Sequence, residues 1–274
     1  MIQWPDGVAV REQEPMSAHT AWRTGGPAPW FLVVHRREAL LQVLALFKAH
    51  KLGWSVLGAG TRTVVRDGGL RHVIVRLGVD FSRIEVLGTG VVSVGAGVPA
   101  PALAWWAAGR GLSGVEVLAR AQGSVGGAFS QGLAADVIEQ VTVPLRGRLQ
   151  EVGPDRAQSA KLLCGVALRL RPEGSKKVLK RTRKNLKGRA ALPSWYQKPK
   201  SGVAAAELRR VQMDGVRLRD ALVPRSSPEM VVNLGSSTAQ DLNLLHNSAL
   251  ERVAKLRGIK LESSARFVGR RHEK

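Results

Sequence analysis

Leu57-Gly58-Ala59-Gly60-Thr61-Arg62 and Gly123-Ser124-Val125-Gly126-Gly127-Ala128 are the stretches on which the fold of this chain turns. Two further glycine-rich segments accompany them, Thr24-Gly25-Gly26-Pro27-Ala28 and Gly95-Ala96-Gly97. Glycine lacks a Cβ, tolerates positive φ and leaves peptide N–H groups free to face an anion. A single loop of this kind is more often a tight turn than a ligand site. Four in one chain, three of them after β-like runs, predict a dinucleotide laid across several strand ends.

The sequence around the loops alternates helix and strand signals. Leu40, Leu41, Val43, Leu44, Leu46 and Phe47 recur at helical spacing between Glu38 and Lys51, and Gly53 reads as the stop. Trp54-Ser55-Val56-Leu57 is a short buried strand running into Gly58, and Val73-Ile74-Val75-Arg76-Leu77 follows the turn signal Asp67-Gly68-Gly69. Residues 31–62 thus form an α/β opening unit. Ile84 to Gly97 reads as a hairpin, and Pro99 to Gly111 as a helix with proline at its start and glycine at its end. A β-like run from Leu162 to Leu170 gives way near Pro172-Glu173-Gly174 to a basic helix, which sets a domain boundary there. Ser236-Ser237-Thr238 caps a long helix that Gly258 ends, and a last strand is expected from Ile259 to about Val268.

Composition narrows the function classes. With 274 residues, 44% of them apolar, the chain can bury one large core or two ordinary ones. No uninterrupted apolar run of about 18 residues occurs, so no membrane span is expected. The start, Met1-Ile2-Gln3-Trp4-Pro5-Asp6, lacks the basic and apolar regions of a secretory signal, and a cytoplasmic protein is expected. The single cysteine, Cys164, excludes an internal disulfide and any multi-cysteine metal site; among Leu162, Leu163 and Val166 it reads as a core residue. The six histidines lack metal-ligand spacing, and no metal is expected. Trp105 and Trp106 read as packing residues rather than as stacking partners for a ligand.

Charge is uneven. The formal net charge is +21, and residues 151–274 hold most of it, with 27 Lys/Arg against 11 Asp/Glu. The densest part carries Lys176, Lys177, Lys180, Arg181, Arg183, Lys184, Lys187 and Arg189 with no acid. Such a run is usually a solvated helix face. It lacks interleaved aromatic side chains, so nucleic acid is not the expected partner, and steering of a phosphorylated small substrate fits better.

The order of Thr20-Ala21-Trp22-Arg23-Thr24-Gly25-Gly26-Pro27-Ala28, Leu57-Gly58-Ala59-Gly60-Thr61 with Asp67-Gly68-Gly69, and Gly123-Ser124-Val125-Gly126-Gly127-Ala128 resembles the UDP-N-acetylenolpyruvoylglucosamine reductases, the MurB family. Val231-Val232-Asn233-Leu234-Gly235, the long helix with Asp241, and Gly258-Ile259-Lys260-Leu261-Glu262 extend the resemblance from about Ser17 to Gly269. It implies an α+β fold: an FAD-binding domain of the vanillyl-alcohol-oxidase (PCMH) type over 17–172, then a smaller α+β substrate domain over 173–274. It implies FAD as cofactor, NADPH as reductant and UDP-N-acetylglucosamine enolpyruvate as substrate, in a monomer of the shorter family type.

Carried over position by position, the resemblance gives Gly58, Ala59, Gly60, Thr61 and Arg62, with Gly123, Ser124, Val125, Gly126 and Gly127, as flavin contacts. It places Ser194, in Pro193-Ser194-Trp195-Tyr196-Gln197-Lys198-Pro199, as proton donor to the reduced enolpyruvyl group, and Arg156 as the stabiliser of the enolate. Departures fall on the chemistry. Ser264 in Leu261-Glu262-Ser263-Ser264-Ala265 stands where the family has a glutamate, and Glu262, two residues away on the expected strand, cannot replace it, being displaced by roughly 7 Å. Arg62 stands at an asparagine position and Gln122 at a proline position, Gln131 takes the place of the asparagine after the second glycine segment, and Gln197-Lys198 replaces Lys-Asn. Two readings follow: a reductase, full-rate or slowed, and a catalytically silent relative that binds flavin, a UDP-sugar or a polyanion.

Overall fold

The computed structural model describes residues 2–186, 194–197 and 202–270. Along the chain lie β1 (Val8–Pro15), β2 (Pro27–Val34), α1 (Arg37–Ala49), β3 (Trp54–Val56), β4 (Thr63–Val65) and β5 (Val73–Leu77). They are followed by β6 (Ile84–Gly88), β7 (Val91–Gly95), α2 (Ala100–Gly109), β8 (Leu112–Ser113) and α3 (Val125–Phe129). Next come β9 (Ile138–Leu145), β10 (Arg148–Val152), α4 (Pro154–Ala157), β11 (Gly165–Arg169), β12 (Arg171–Pro172) and α5 (Ser175–Leu186). The remainder holds α6 (Ala204–Arg210), β13 (Arg217–Leu218), β14 (Ala221–Leu222), β15 (Val232–Asn233), α7 (Ala239–Arg257) and β16 (Arg266–Val268).

These elements form two compact units that are not contiguous in sequence. The first takes Met1–Glu12, Trp30–Ala59 and His72–Arg189; the second takes Gln13–Pro29, Gly60–Arg71 and Ala190–Lys274.

In the first unit, β2 and β3 both run parallel to β5 in a sheet of order β1-β2-β5-β3. A central parallel strand is covered on both faces, which is why Val73, Ile74 and Val75 are all buried in succession. Helix α1 closes one face through Ala39, Leu40, Val43 and Phe47. It ends at Ala49, and the left-handed residue after it is Lys51 at φ +52°, two positions ahead of the expected stop at Gly53. A second sheet of order β10-β9-β11-β7-β6 is antiparallel throughout. The expected hairpin is β6–β7, turning at Gly90, where φ is +73° and a Cβ would lie 2.4 Å from the Leu170 carbonyl oxygen. Helix α2 contributes Leu103, Ala104 and Ala107 to a core shared with Val92, Val94 and Leu168 of this sheet. Cys164 is buried, and burial pushes its thiol up to about 12, the behaviour of a core residue.

The basic helix α5 belongs to this first unit, whereas the linear division at 172/173 put it with the substrate domain. Two features hold it there. Val178 and Thr182 bury one face, and Arg181 on that side reaches Glu116 at 2.6 Å and Glu173 at 2.9 Å. Hydrogen bonds from Arg181 and Ser113 hold the Glu173 carboxyl down to about 2. Lys176, Lys177, Lys180, Arg183 and Lys184 are exposed, the solvated face the charge run suggested; Lys187 and Arg189 lie outside the described residues.

The second unit is built on α7. Thr238 caps it as expected, with a reciprocal capping box to Asp241, and Gly258 ends it at φ +64°. Leu242, Leu245, Ala249 and Val253 form its buried face and share a core with Leu208 of α6, Ala221 of β14 and Trp22. The Trp22 indole donates to the Val231 carbonyl at 2.7 Å, and Asn233 donates to the Trp22 carbonyl at 2.9 Å, so the Thr20–Thr24 segment is folded into this unit. The last strand is shorter than expected. Only Arg266–Val268 pairs, parallel to β4, while Ser263 makes an isolated bridge to Tyr196.

Candidate functional site

The two main glycine segments are joined in space through Gly58 and Ser124. Strand β3 delivers the first, with the Leu57 N–H still bonded to the Val75 carbonyl at 3.0 Å. The second follows a 3-10 turn, Glu116–Arg120, rather than a strand, and opens α3. A Cβ on Gly58 would lie 2.9 Å from the Ser124 hydroxyl, so only glycine lets the loops approach this closely. Ser124 caps α3 by accepting from the Gly127 N–H at 3.3 Å. The N–H groups of Val125 and Gly126 are tied to the carbonyls of Val98 and Ala96, at 2.8 and 2.9 Å. Those of Gly58, Ala59, Gly123 and Ser124 meet no acceptor among the described residues. Four available peptide donors on two touching loops suit the phosphate oxygens of a dinucleotide, and the residues present therefore fit FAD.

Gly60, Thr61 and Arg62 continue the first loop in the second unit. Gly60 has φ +64°, and a Cβ there would fall 2.0 Å from the His19 carbonyl oxygen. The N–H groups of all three residues lack acceptors among the described residues. Arg62 is half-buried with no carboxylate against it among the described residues, and burial lowers its guanidinium pKa. The other two glycine segments serve the framework. Gly95 and Gly97 admit the Phe81 backbone, and Gly25 and Gly26 admit Val65 and Asp67.

Ser194 and Ser264 meet in the second unit. The Ser194 hydroxyl donates to the Tyr196 carbonyl at 2.8 Å and accepts from the Tyr196 N–H at 3.2 Å. The Ser264 hydroxyl donates to the Ser194 carbonyl at 2.5 Å, and its N–H donates to the Trp195 carbonyl at 2.8 Å. Residues 262–264 thus pair with 195–197 instead of extending β16, and Glu262 is exposed beside Ser264 without being part of a strand. Pro193, Lys198 and Pro199 lie outside the described residues.

Arg156 belongs to the other unit. It sits on α4 in the first unit, exposed, at the edge of a cavity lined also by Trp54 and Lys161. Three features of the sites were not legible in the sequence. Trp195 is fully buried edge-on to Trp22, with ring centroids 4.8 Å apart. His246, one of six histidines without metal-ligand spacing, lies under Tyr196 in a stack 5.1 Å apart, and burial lowers its pKa to about 4. Its place on the inner face of α7, between Leu242 and Ala249, was the available signal. Asp67, read only as a turn residue, accepts from the Ala239 and Gln240 N–H groups at the start of α7.

Among the described residues no group of three or more His, Cys, Asp or Glu could hold a metal ion, and no helix is long and apolar enough to cross a membrane.

Comparison with known proteins meets the same residues. An FAD binding domain family matches residues 29–142, which include both touching loops. The chain is 30% identical over 285 residues to UDP-N-acetylenolpyruvoylglucosamine reductase 2 of Symbiobacterium thermophilum, covering 95% of this chain and 92% of that protein. It is also 30% identical to the UDP-N-acetylenolpyruvoylglucosamine reductase of Rubrobacter xylanophilus, covering 95% and 96%. The crystal structure of UDP-N-acetylenolpyruvylglucosamine reductase (MurB) from Thermus caldophilus superposes with a TM-score of 0.78 at 26% identity, over 95% of this chain and 98% of that one. Matching length, loop order and fold together lead to one conclusion: the chain belongs to the UDP-N-acetylenolpyruvoylglucosamine reductase family.

Proposed function

We propose that this chain is a cytoplasmic, FAD-dependent and NADPH-consuming reductase that converts UDP-N-acetylglucosamine enolpyruvate to UDP-N-acetylmuramate in peptidoglycan precursor synthesis. The observation that carries the flavin assignment is the contact of Gly58 with Ser124, which brings four unpaired peptide N–H groups onto two adjoining loops. Bound FAD, reduced by NADPH, would supply the hydride for the enolpyruvyl double bond. Gly58, Ala59, Gly123 and Ser124 would hold its pyrophosphate through peptide donors, which need no reorganisation when charge changes elsewhere. Thr61 and Arg62 would add donors, and Arg62 brings a cation where the family resemblance implies a neutral amide.

Ser194 is the proposed proton donor to the carbon next to the substrate carboxylate. A serine hydroxyl is a weak acid, but the enolate left by hydride addition is basic enough to take its proton in contact. For this the hydroxyl turns away from the Tyr196 carbonyl, a single χ1 rotation. Ser264 positions the donor through the Ser194 backbone. The flavin-binding domain in this reading corresponds to most of 17–172, with α5 added, and the substrate domain to the residues after α5 joined by Gln13–Pro29 and Gly60–Arg71.

The test is an anaerobic titration. The FAD-loaded protein is reduced with NADPH while the visible flavin band is followed, and the enolpyruvyl substrate is then added. Bleaching followed by recovery is expected. Bleaching without recovery would leave a flavoprotein of another activity.

A further inference from the structure

The first unit holds a cavity of about 580 Å³ that neither glycine loop lines, within the size range of small-molecule sites. Its accessible aromatic side chain is Trp54, half-buried and stacked on the buried Phe47 with centroids 5.7 Å apart. Its rim is cationic, with Lys48 and Lys51 beyond the buried face of α1, Arg156 on α4, and Lys161. No acidic side chain lines it. None of these four cations has an ion-pair partner among the described residues, in contrast to Arg181, which has two carboxylates. Lys161 Nζ lies 4.0 Å from the centroid of the Trp54 ring, so charge and aromatic surface are brought together at one point.

We propose that this cavity binds an aromatic organic anion of about nucleoside-monophosphate size, its ring against Trp54 and its phosphate or carboxylate among the four cations, Lys161 turning from the Trp54 ring to the anion. Uncompensated cations around one cavity repel one another, and an anion placed between them relieves that repulsion while its ring leaves water. Recognition needs both parts at once. A neutral nucleoside supplies only the ring, and inorganic phosphate only the charge.

The experiment is isothermal titration of the FAD-loaded protein with AMP, adenosine and inorganic phosphate as probes. One AMP per chain is expected, with a Kd of about 1 mM or tighter, and at least about tenfold weaker binding of adenosine and of phosphate. K51E/K161E reverses two exposed charges and should weaken AMP at least about tenfold while leaving the visible flavin spectrum unchanged. W54L removes the ring and keeps the charges, so it should weaken AMP and leave phosphate as it was. AMP binding that survives K51E/K161E, or that adenosine matches, overturns the proposal. So does AMP binding abolished by prior saturation with UDP-N-acetylmuramate, which would place the nucleotide in the reductase site.

Discussion

The Ser264 hydroxyl donates to the carbonyl oxygen of Ser194 at 2.5 Å. The bond runs to the backbone of the proposed proton donor and leaves its side chain to Tyr196. A glutamate at position 264 could pass a proton; a serine bonded to a carbonyl orients the segment that carries one. Ser194→Ala should therefore slow reduction of the enolpyruvyl group by about 10²–10⁴ while NADPH still bleaches the flavin at its normal rate. Ser264→Ala should lower kcat by about tenfold with little change in KM, and Ser264→Thr, which keeps the hydroxyl, should recover most of it. Stopped-flow measurement of the two half-reactions separates these outcomes. Normal turnover in Ser194→Ala would remove the assignment.

The Gly58–Ser124 approach makes a second prediction, about cofactor and not about chemistry. Alanine at 58 places a methyl group 2.9 Å from the Ser124 hydroxyl, which must give way and slacken its cap on the Gly127 N–H. Gly58→Ala should weaken FAD binding at least about tenfold, roughly 1.4 kcal/mol, with the apoprotein still folded. Ultrafiltration of the flavin, together with circular dichroism of the apoprotein, reads both. Undiminished affinity would show that the two loops do not act as one cradle.

What was legible in the sequence was whatever the chain states locally. Strand β5 was readable from Val73 to Leu77 because Val, Ile and Val stand together after a glycine turn, and α7 because Thr238 and Gly258 mark its ends. The residues from Ile259 to Ala265 carried a strand pattern too, but their partners are Trp195 and Gln197, and a single pattern does not say which segment answers it. For the same reason the sequence could place Ser194 and Ser264 each in a motif without showing that one holds the other. The neighbours of Arg156 echo a family sequence, but its place on the short helix α4, at the edge of a cavity also lined by Trp54 and Lys161, depends on contacts that no local pattern states.

Asp67 and α7 show the same limit from the stability side. The Asp67 carboxylate accepts from the Ala239 N–H at 2.9 Å and the Gln240 N–H at 3.0 Å, on a helix whose Thr238 already accepts from Asp241. Together they satisfy three of the donors that a helix start leaves open, and an anion there also suits the helix dipole. Asp67→Ala should cost about 1–3 kcal/mol and Thr238→Ala about 1 kcal/mol in urea denaturation. The larger effect is expected at Asp67, because two charge-assisted bonds are lost at once. Equal or reversed effects would mean that solvent replaces the Asp67 bonds without loss.

His246 gives the chain a pH dependence whose sign can be worked out. Its ring is 2% exposed, packed between Tyr196, Trp195 and Phe267, and its Nδ1 has no hydrogen-bond partner among the described residues. Burial disfavours the charged form and lowers the pKa from 6.5 to about 4 in the folded protein. Between those values the unfolded chain binds the proton and the folded chain does not, so stability is lost as pH falls from about 6.5 toward 4. By pH 4.5 the loss from this one group should be about 2–3 kcal/mol. His246→Phe keeps an aromatic ring in the stack and removes the titration. The drop in stability between pH 7 and pH 4.5, read by urea denaturation, should therefore be smaller in the variant by about that amount. An equal drop in both proteins would mean that the folded state opens to admit the proton, and that the aromatic cluster around Trp195 does not hold the ring out of water.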